Sequence, residues 1–154
     1  MKIKDILKIE TIKTDVSGQT KEDVIKELVD VLDKTYHLPD KNGIVKSLID
    51  RENLGSTGIG QGIAIPHGKT NKVNSLIAAV GMSKAGVDFK ALDGEPVYLF
   101  FLLVAPKDSA GPHLKALARI SRLLRDTYFC NQLRKAASSE EVMNLLVQED
   151  ERKS

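Results

Sequence analysis

Val97 to Ala105 is the longest strongly apolar run in the chain, nine residues with no charge among them. A strand with one wet face alternates apolar and polar residues, so an unbroken run implies a strand buried on both faces, in a sheet covered on two sides. The same run is far short of the roughly twenty residues that a membrane-spanning helix needs. The rest of the chain must therefore supply two covering layers. At 154 residues, 42% of them hydrophobic and 29% charged, the chain has the length and composition of one folded domain.

The covering helices are legible on either side of the run. Thr20 is a capping residue, and Val24, Ile25, Leu28, Val29 and Leu32 share one helical face, which predicts a helix to about Tyr36. The stretch from His37 to Asp40 breaks it. Ile44, Val45, Leu48 and Ile49 then repeat the spacing and predict a second helix to about Glu52, with Arg51 at its end. Four glycines between Gly55 and Gly62 suit a loop. An extended piece at 11–16 and strands at 62–65 and 75–82 precede the buried strand at 97–104. After Pro112, the residues Leu114, Leu117, Ile120 and Leu124 predict a helix, followed by others at 129–137 and 138–147. Ser138 and Glu141 would form a capping box for the last. This order is mixed α/β, and the economical architecture is a three-layer α/β/α sandwich around a mixed sheet. It occupies one domain over 1–147, and the polar residues 148–154 are expected to fray.

Charge and cysteine usage narrow the functions. Lys and Arg number 23 against 21 Asp and Glu, a net charge of +2 without a basic cluster, and there is no tryptophan. Nucleic-acid binding and attachment to an anionic membrane therefore have little support. One cysteine cannot form an internal disulfide, and the opening Met1-Lys2-Ile3-Lys4-Asp5 has no signal pattern, so a cytoplasmic location is expected.

Chemistry concentrates in residues 51–70. A P-loop would need glycine at position 63, and the pattern G-x-G-x-x-G would need it at 63 or 65, but isoleucine stands at both. His67 is set between Pro66, which stiffens the backbone, and Gly68, which frees it. A neutral imidazole so held can be a nucleophile, although on spacing alone a histidine in an ordinary turn explains the pattern as well. His113 follows Pro112 at a helix start, where an anion could dock beside it, or where it is simply a solvent-facing first-turn residue. The three histidines His37, His67 and His113 lack zinc-ligand spacing. Cys130 reads as a packing residue.

Two segments carry a family resemblance. Gly55-Ser56-Thr57-Gly58-Ile59-Gly60-Gln61-Gly62-Ile63-Ala64-Ile65-Pro66-His67-Gly68-Lys69, with the later His113-Leu114-Lys115-Ala116-Leu117-Ala118-Arg119-Ile120, resembles the type-2 enzyme IIA domains of the bacterial phosphoenolpyruvate-dependent phosphotransferase system. These are the fructose/mannitol and nitrogen-regulatory enzyme IIA proteins. The likeness extends from Ile3-Lys4-Asp5-Ile6-Leu7 to Ser138-Ser139-Glu140-Glu141. It implies that His67 accepts a phosphoryl group, that Arg51 is the basic residue beside it, and that His113 is the second active-site histidine.

On that resemblance the chain is a phosphotransferase whose donor is the phosphocarrier HPr and whose acceptor is an enzyme IIB domain or, in the nitrogen type, a regulatory target. Arg51 would contact the phosphoryl oxygens in bidentate fashion, glycine-rich amides would cradle them, and His113 would donate a further hydrogen bond. No metal or cofactor is called for. Ile59, Ile63 and Leu114 are candidates for an apolar rim that partners share. The stretch Cys130 to Ser138 is slightly closer to the nitrogen type than to the sugar type. The contrasting reading is a non-catalytic regulatory module that binds partner proteins or anions.

Overall fold

The computed structural model describes residues 1–153. In chain order its elements are strand β1 (Ile12–Lys13), helices α1 (Lys21–Tyr36) and α2 (Lys41–Asn53), and strands β2 (Gly58–Gly60), β3 (Ile63–Ala64), β4 (His67–Thr70), β5 (Ile77–Val87) and β6 (Val97–Pro106). Helices α3 (Ala110–Leu124), α4 (Thr127–Lys135) and α5 (Ser139–Arg152) complete it. The apolar run is β6, and it lies inside the sheet as expected. The order is β1-β5-β6-β3-β2, with β4 also paired to β6. Leu99, Phe101 and Leu103 face one core with Ile120, Leu123 and Leu146 of α3 and α5. Phe100, Leu102 and Val104 face a second core with Leu28, Leu32, Ile44 and Leu48 of α1 and α2. Each fully buried Leu or Phe contributes roughly 1.5–3 kcal/mol, so covering both faces is what holds the strand in place. The result is the three-layer α/β/α sandwich.

The sheet is mixed because β5 and β6 are antiparallel while β1 runs parallel to β5 and both β3 and β4 run parallel to β6. The last two occupy successive stretches of one edge: Ala64 is opposite Phe100, and pairing resumes with His67 opposite Leu103. Pro66, which has no N–H, sits at the interruption and accepts from the Leu103 N–H at 2.9 Å. His67 is therefore placed by the restart of a strand, at the C-terminal end of the parallel edge.

The termini of helices differ from the sequence expectation in informative ways. Helix α3 starts at Ala110, before Pro112 rather than after it. Helix α5 has its Ser138 cap, but the Glu141 carboxylate accepts from the N–H of Ala137 instead of closing the box on Ser138. Residues 148–152, expected to fray, are helical. Asp150 explains this: it is only 2% exposed and accepts from the Ile3 N–H at 2.8 Å and from Arg119 at 2.6 Å, tying the last helix to the first turn and to α3. Ser154 lies outside the described residues. The glycine-rich loop is a short hairpin of β2 and β3, with Gly60 and Gly62 at φ +94° and +81° around its turn. Among the described residues no helix is long and apolar enough to cross a membrane.

Candidate functional site

The C-terminal end of α2, strand β4 and the first turn of α3 enclose a cleft of about 610 Å³. Arg51 and Leu54 enter it from α2 and its end, His67 and Lys69 from β4, and His113 and Leu114 from α3. The three residues singled out in the sequence, Arg51, His67 and His113, thus come to one place.

His67 is half-buried, and its Nδ1–H donates to the Ile65 carbonyl at 2.8 Å. A carbonyl can only accept, so this contact fixes the tautomer and leaves Nε2 with its lone pair. Burial lowers the pKa of His67 below 6.5, and the Arg51 charge acts in the same direction, against the raising influence of the Ile65 carbonyl and the Glu52 carboxylate. The ring is then neutral and nucleophilic near physiological pH. Gly68 marks a close approach of helix to strand rather than a need for backbone freedom. Its φ is not in the left-handed region, but a Cβ there would come 3.3 Å from Leu48 Cδ2 and 3.5 Å from the Leu48 backbone nitrogen. Close approach of α2 to β4 is what brings Arg51 to His67.

His113 is 4% exposed, so it is a buried residue and not a solvent-facing one. Its own N–H is bonded to the Ser109 carbonyl inside the helix, leaving the side chain to act. The rings of His67 and His113 meet edge to face with centroids 5.6 Å apart at 73°. Burial, then the neighbouring His67 and Lys69, lowers the His113 pKa to about 4. Its Nε2 is buried without a hydrogen-bond partner among the described residues. An unpartnered buried polar atom is costly, which makes this nitrogen a natural partner for a ligand oxygen.

Arg51 donates from Nη1 to the Gly55 carbonyl at 2.9 Å and pairs with no carboxylate among the described residues. Asp50 is taken by Lys46 at 2.8 Å and Glu52 by Lys21 at 3.1 Å. The remaining guanidinium donors are free for an anion. Glu52 itself is buried and accepts from both the backbone N–H and the hydroxyl of Thr57, so it clamps the segment whose Gly55 carbonyl holds Arg51.

Of the other expectations, some hold and some are corrected. The glycine-rich segment does not line the cleft, so it supplies no amide cradle there; Arg51, Lys69, His67 and His113 share the lining with Asp50 and the apolar Leu54, Ala110, Leu114 and Leu117. Ile63 is a core residue, and Ile59 lies in a separate groove with Ser121 and Arg125. Leu114, 69% exposed, does flank the cleft, and Leu54, 85% exposed, joins it although the sequence reading omits it. Lys69 is also omitted; it shares the face of His67 only because residues 67–70 form a strand on β6. His37 ends α1, away from the cleft, and no group of three or more metal-ligating side chains exists among the described residues. Cys130 is packed, its thiol donating to the Leu124 carbonyl at 3.2 Å, and burial pushes its pKa up to about 11.

Known proteins resemble this chain in sequence and in fold. Residues 5–149 match the model of the family described as phosphoenolpyruvate-dependent sugar phosphotransferase system, EIIA 2. The chain is 42% identical over 150 residues to the fructose-specific EIIABC component of Bacillus subtilis, covering 97% of this chain and 24% of the length of that relative. It is 36% identical over 148 residues to a nitrogen regulatory protein of Bradyrhizobium diazoefficiens, covering 95% of both. The crystal structure of the nitrogen regulatory protein IIA-Ntr from Neisseria meningitidis superposes with a TM-score of 0.87 at 33% identity, over 94% of this chain and 98% of that one. With a matched family model over nearly its whole length and relatives of both kinds, the chain belongs to the type-2 enzyme IIA family of the phosphoenolpyruvate-dependent phosphotransferase system.

Proposed function

We propose that this chain is a phosphoryl carrier that accepts a phosphoryl group on Nε2 of His67 from phospho-HPr, then passes it to an enzyme IIB domain or holds it as a switch toward regulatory targets. The observation that carries the reading is the 2.8 Å contact of Nδ1–H with the Ile65 carbonyl, which leaves Nε2 as the free nucleophile of a ring held neutral by burial.

In the transfer, the Nε2 lone pair forms the new N–P bond while the donor's N–P bond breaks and its electron pair returns to the donor ring. Nδ1–H stays on Ile65 throughout, and that carbonyl stabilises the positive charge the His67 ring gains when Nε2 is substituted. The transition state spreads negative charge over three equatorial oxygens, so the protein must align the partners and meet that charge. Arg51 supplies a planar set of donors and Lys69 a point charge. His113, kept neutral by its environment, offers Nε2–H to one oxygen and thereby satisfies its buried nitrogen. HPr and a IIB domain must each reach the same His67, so they compete for the rim that includes Leu54 and Leu114.

The test is incubation with phosphoenolpyruvate, enzyme I and HPr, then with a IIB domain. The parent chain gains an acid-labile, base-stable phosphate and loses it to the acceptor domain or retains it. His67→Ala gains none, and His113→Ala is labelled more slowly. Full labelling of His67→Ala would move the acceptor to another residue, and no labelling of the parent would sink the reading in favour of a non-catalytic binding module.

A further inference from the structure

A second depression, of about 420 Å³, opens between the other end of the sheet and α4. Its strand residues include Ser83 and Lys84 of β5 and Tyr98 of β6. Tyr98 lies five residues back along β6 from Leu103, the partner of His67, which is about 16 Å along the strand. The depression is therefore separate from the cleft above.

Three cations, Lys84, Arg134 and Lys135, line it, and no carboxylate does. None of the three forms an ion pair among the described residues. Arg134 lies over the Tyr98 ring at 4.0 Å from its centroid. That ring is fixed in turn, because it fills the space over two glycines: a Cβ at Gly62 or Gly86 would come within 3.1 or 2.9 Å of it. The guanidinium thus rests on a rigid platform while spending no N–H on a hydrogen bond among the described residues. Ser83 adds a neutral donor. It is 7% exposed, and its hydroxyl oxygen accepts from the Gly86 N–H at 3.1 Å, so its own proton is left for an acceptor. The C-terminal dipole of α4 offsets roughly half a charge near Arg134 and Lys135, which leaves most of the positive charge uncompensated.

From this geometry we infer that the depression binds a small phosphate monoester. A dianion matches the excess charge, and three terminal oxygens can take donors from Arg134, the lysines and Ser83 at once, which the two oxygens of a carboxylate cannot. The volume is that of a small-molecule site. The buried Met82 and the partly buried Ala136 give its floor an apolar portion for the body of the ester.

Glycerol 3-phosphate is a suitable probe, with glycerol as its control, followed by amide shifts of the 15N-labelled chain. Saturable shifts at Ser83, Lys84, Asn131 and Arg134 are expected with the phosphate and not with glycerol. Arg134→Gln combined with Lys84→Gln, both at exposed positions, should weaken binding by about tenfold or more while His67 phosphorylation proceeds at the parental rate. Lys135→Gln should weaken it separately. No saturable shift, shifts confined to the His67 cleft, equal shifts with glycerol, or unchanged affinity in these variants would overturn the inference.

Discussion

Acidification should weaken this fold through His113. In the folded chain its pKa is about 4, against 6.5 for an unperturbed imidazole. As pH falls, the unfolded chain takes the proton first, so the contribution of the neutral, buried ring is complete above about pH 6.5 and is lost progressively toward pH 4. Between pH 7 and pH 5 the difference in proton binding amounts to about 2 kcal/mol, a large part of the 5–15 kcal/mol typical of a domain. His67, whose pKa is also lowered, adds a loss of the same sign. The carboxylates Glu27 and Asp126 are lowered from 4.5 and 3.8, so their contributions are lost only at more acid pH, which leaves the window above pH 5 to the histidines. Urea unfolding followed by circular dichroism at both pH values would measure the effect in the parent and in His113→Gln. The parent should lose about 2 kcal/mol more than the variant over that interval. Parallel pH dependences would mean instead that His113 is hydrated and that burial does not hold it neutral.

Substitutions at three positions probe the rest of the site. Arg51→Lys should keep the parental unfolding midpoint yet accept phosphate on the order of 10²-fold more slowly from phospho-HPr, because one ammonium cannot hold Gly55 and meet the phosphoryl oxygens in two places. The His67 titration, read by NMR, should move in opposite directions in two variants: further down in Glu52→Gln, which removes a carboxylate, and up in Arg51→Gln, which removes a cation. Movement in one direction for both would contradict the electrostatic assignment. Gly68→Ala should cost about 1–3 kcal/mol in thermal or urea unfolding, because its methyl group would press on Leu48 of α2, and a stability equal to the parent's would show that α2 yields there without penalty.

How much of this was legible in the sequence follows from what each signal depends on. The two covered faces could be read because β6 does not alternate, and α1 because Thr20 caps a clean apolar stripe. Strand β4 was hidden: His-Gly-Lys-Thr has no apolar periodicity, and only the edge of β6 makes it a strand. The glycines from 55 to 62 announced backbone freedom truly, but not that a hairpin would use it away from the cleft. Pro112 looked like the residue before the helix, although α3 already begins at Ala110 after its N-cap Ser109. The order of residues 148–152 rests on Asp150 meeting Ile3 and Arg119, contacts far apart in sequence that no local pattern contains. Spacing alone could not bring Arg51, His67 and His113 together either. The family resemblance pointed to them, and the physical reason for their meeting, the packing of α2 close on β4 with the first turn of α3 beside them, is visible only in three dimensions.

In the phosphorylated chain, phosphate is expected on Nε2 of His67 while Nδ1 keeps its proton, donated to the Ile65 carbonyl. This can be tested on the 15N-labelled chain phosphorylated through phosphoenolpyruvate, enzyme I and HPr, by observing phosphorus–nitrogen coupling in the imidazole ring. Coupling to Nε2 of His67 is expected, with the Nδ1–H signal retained. Coupling to Nδ1, phosphate on His113, or no phosphohistidine at all would contradict that assignment.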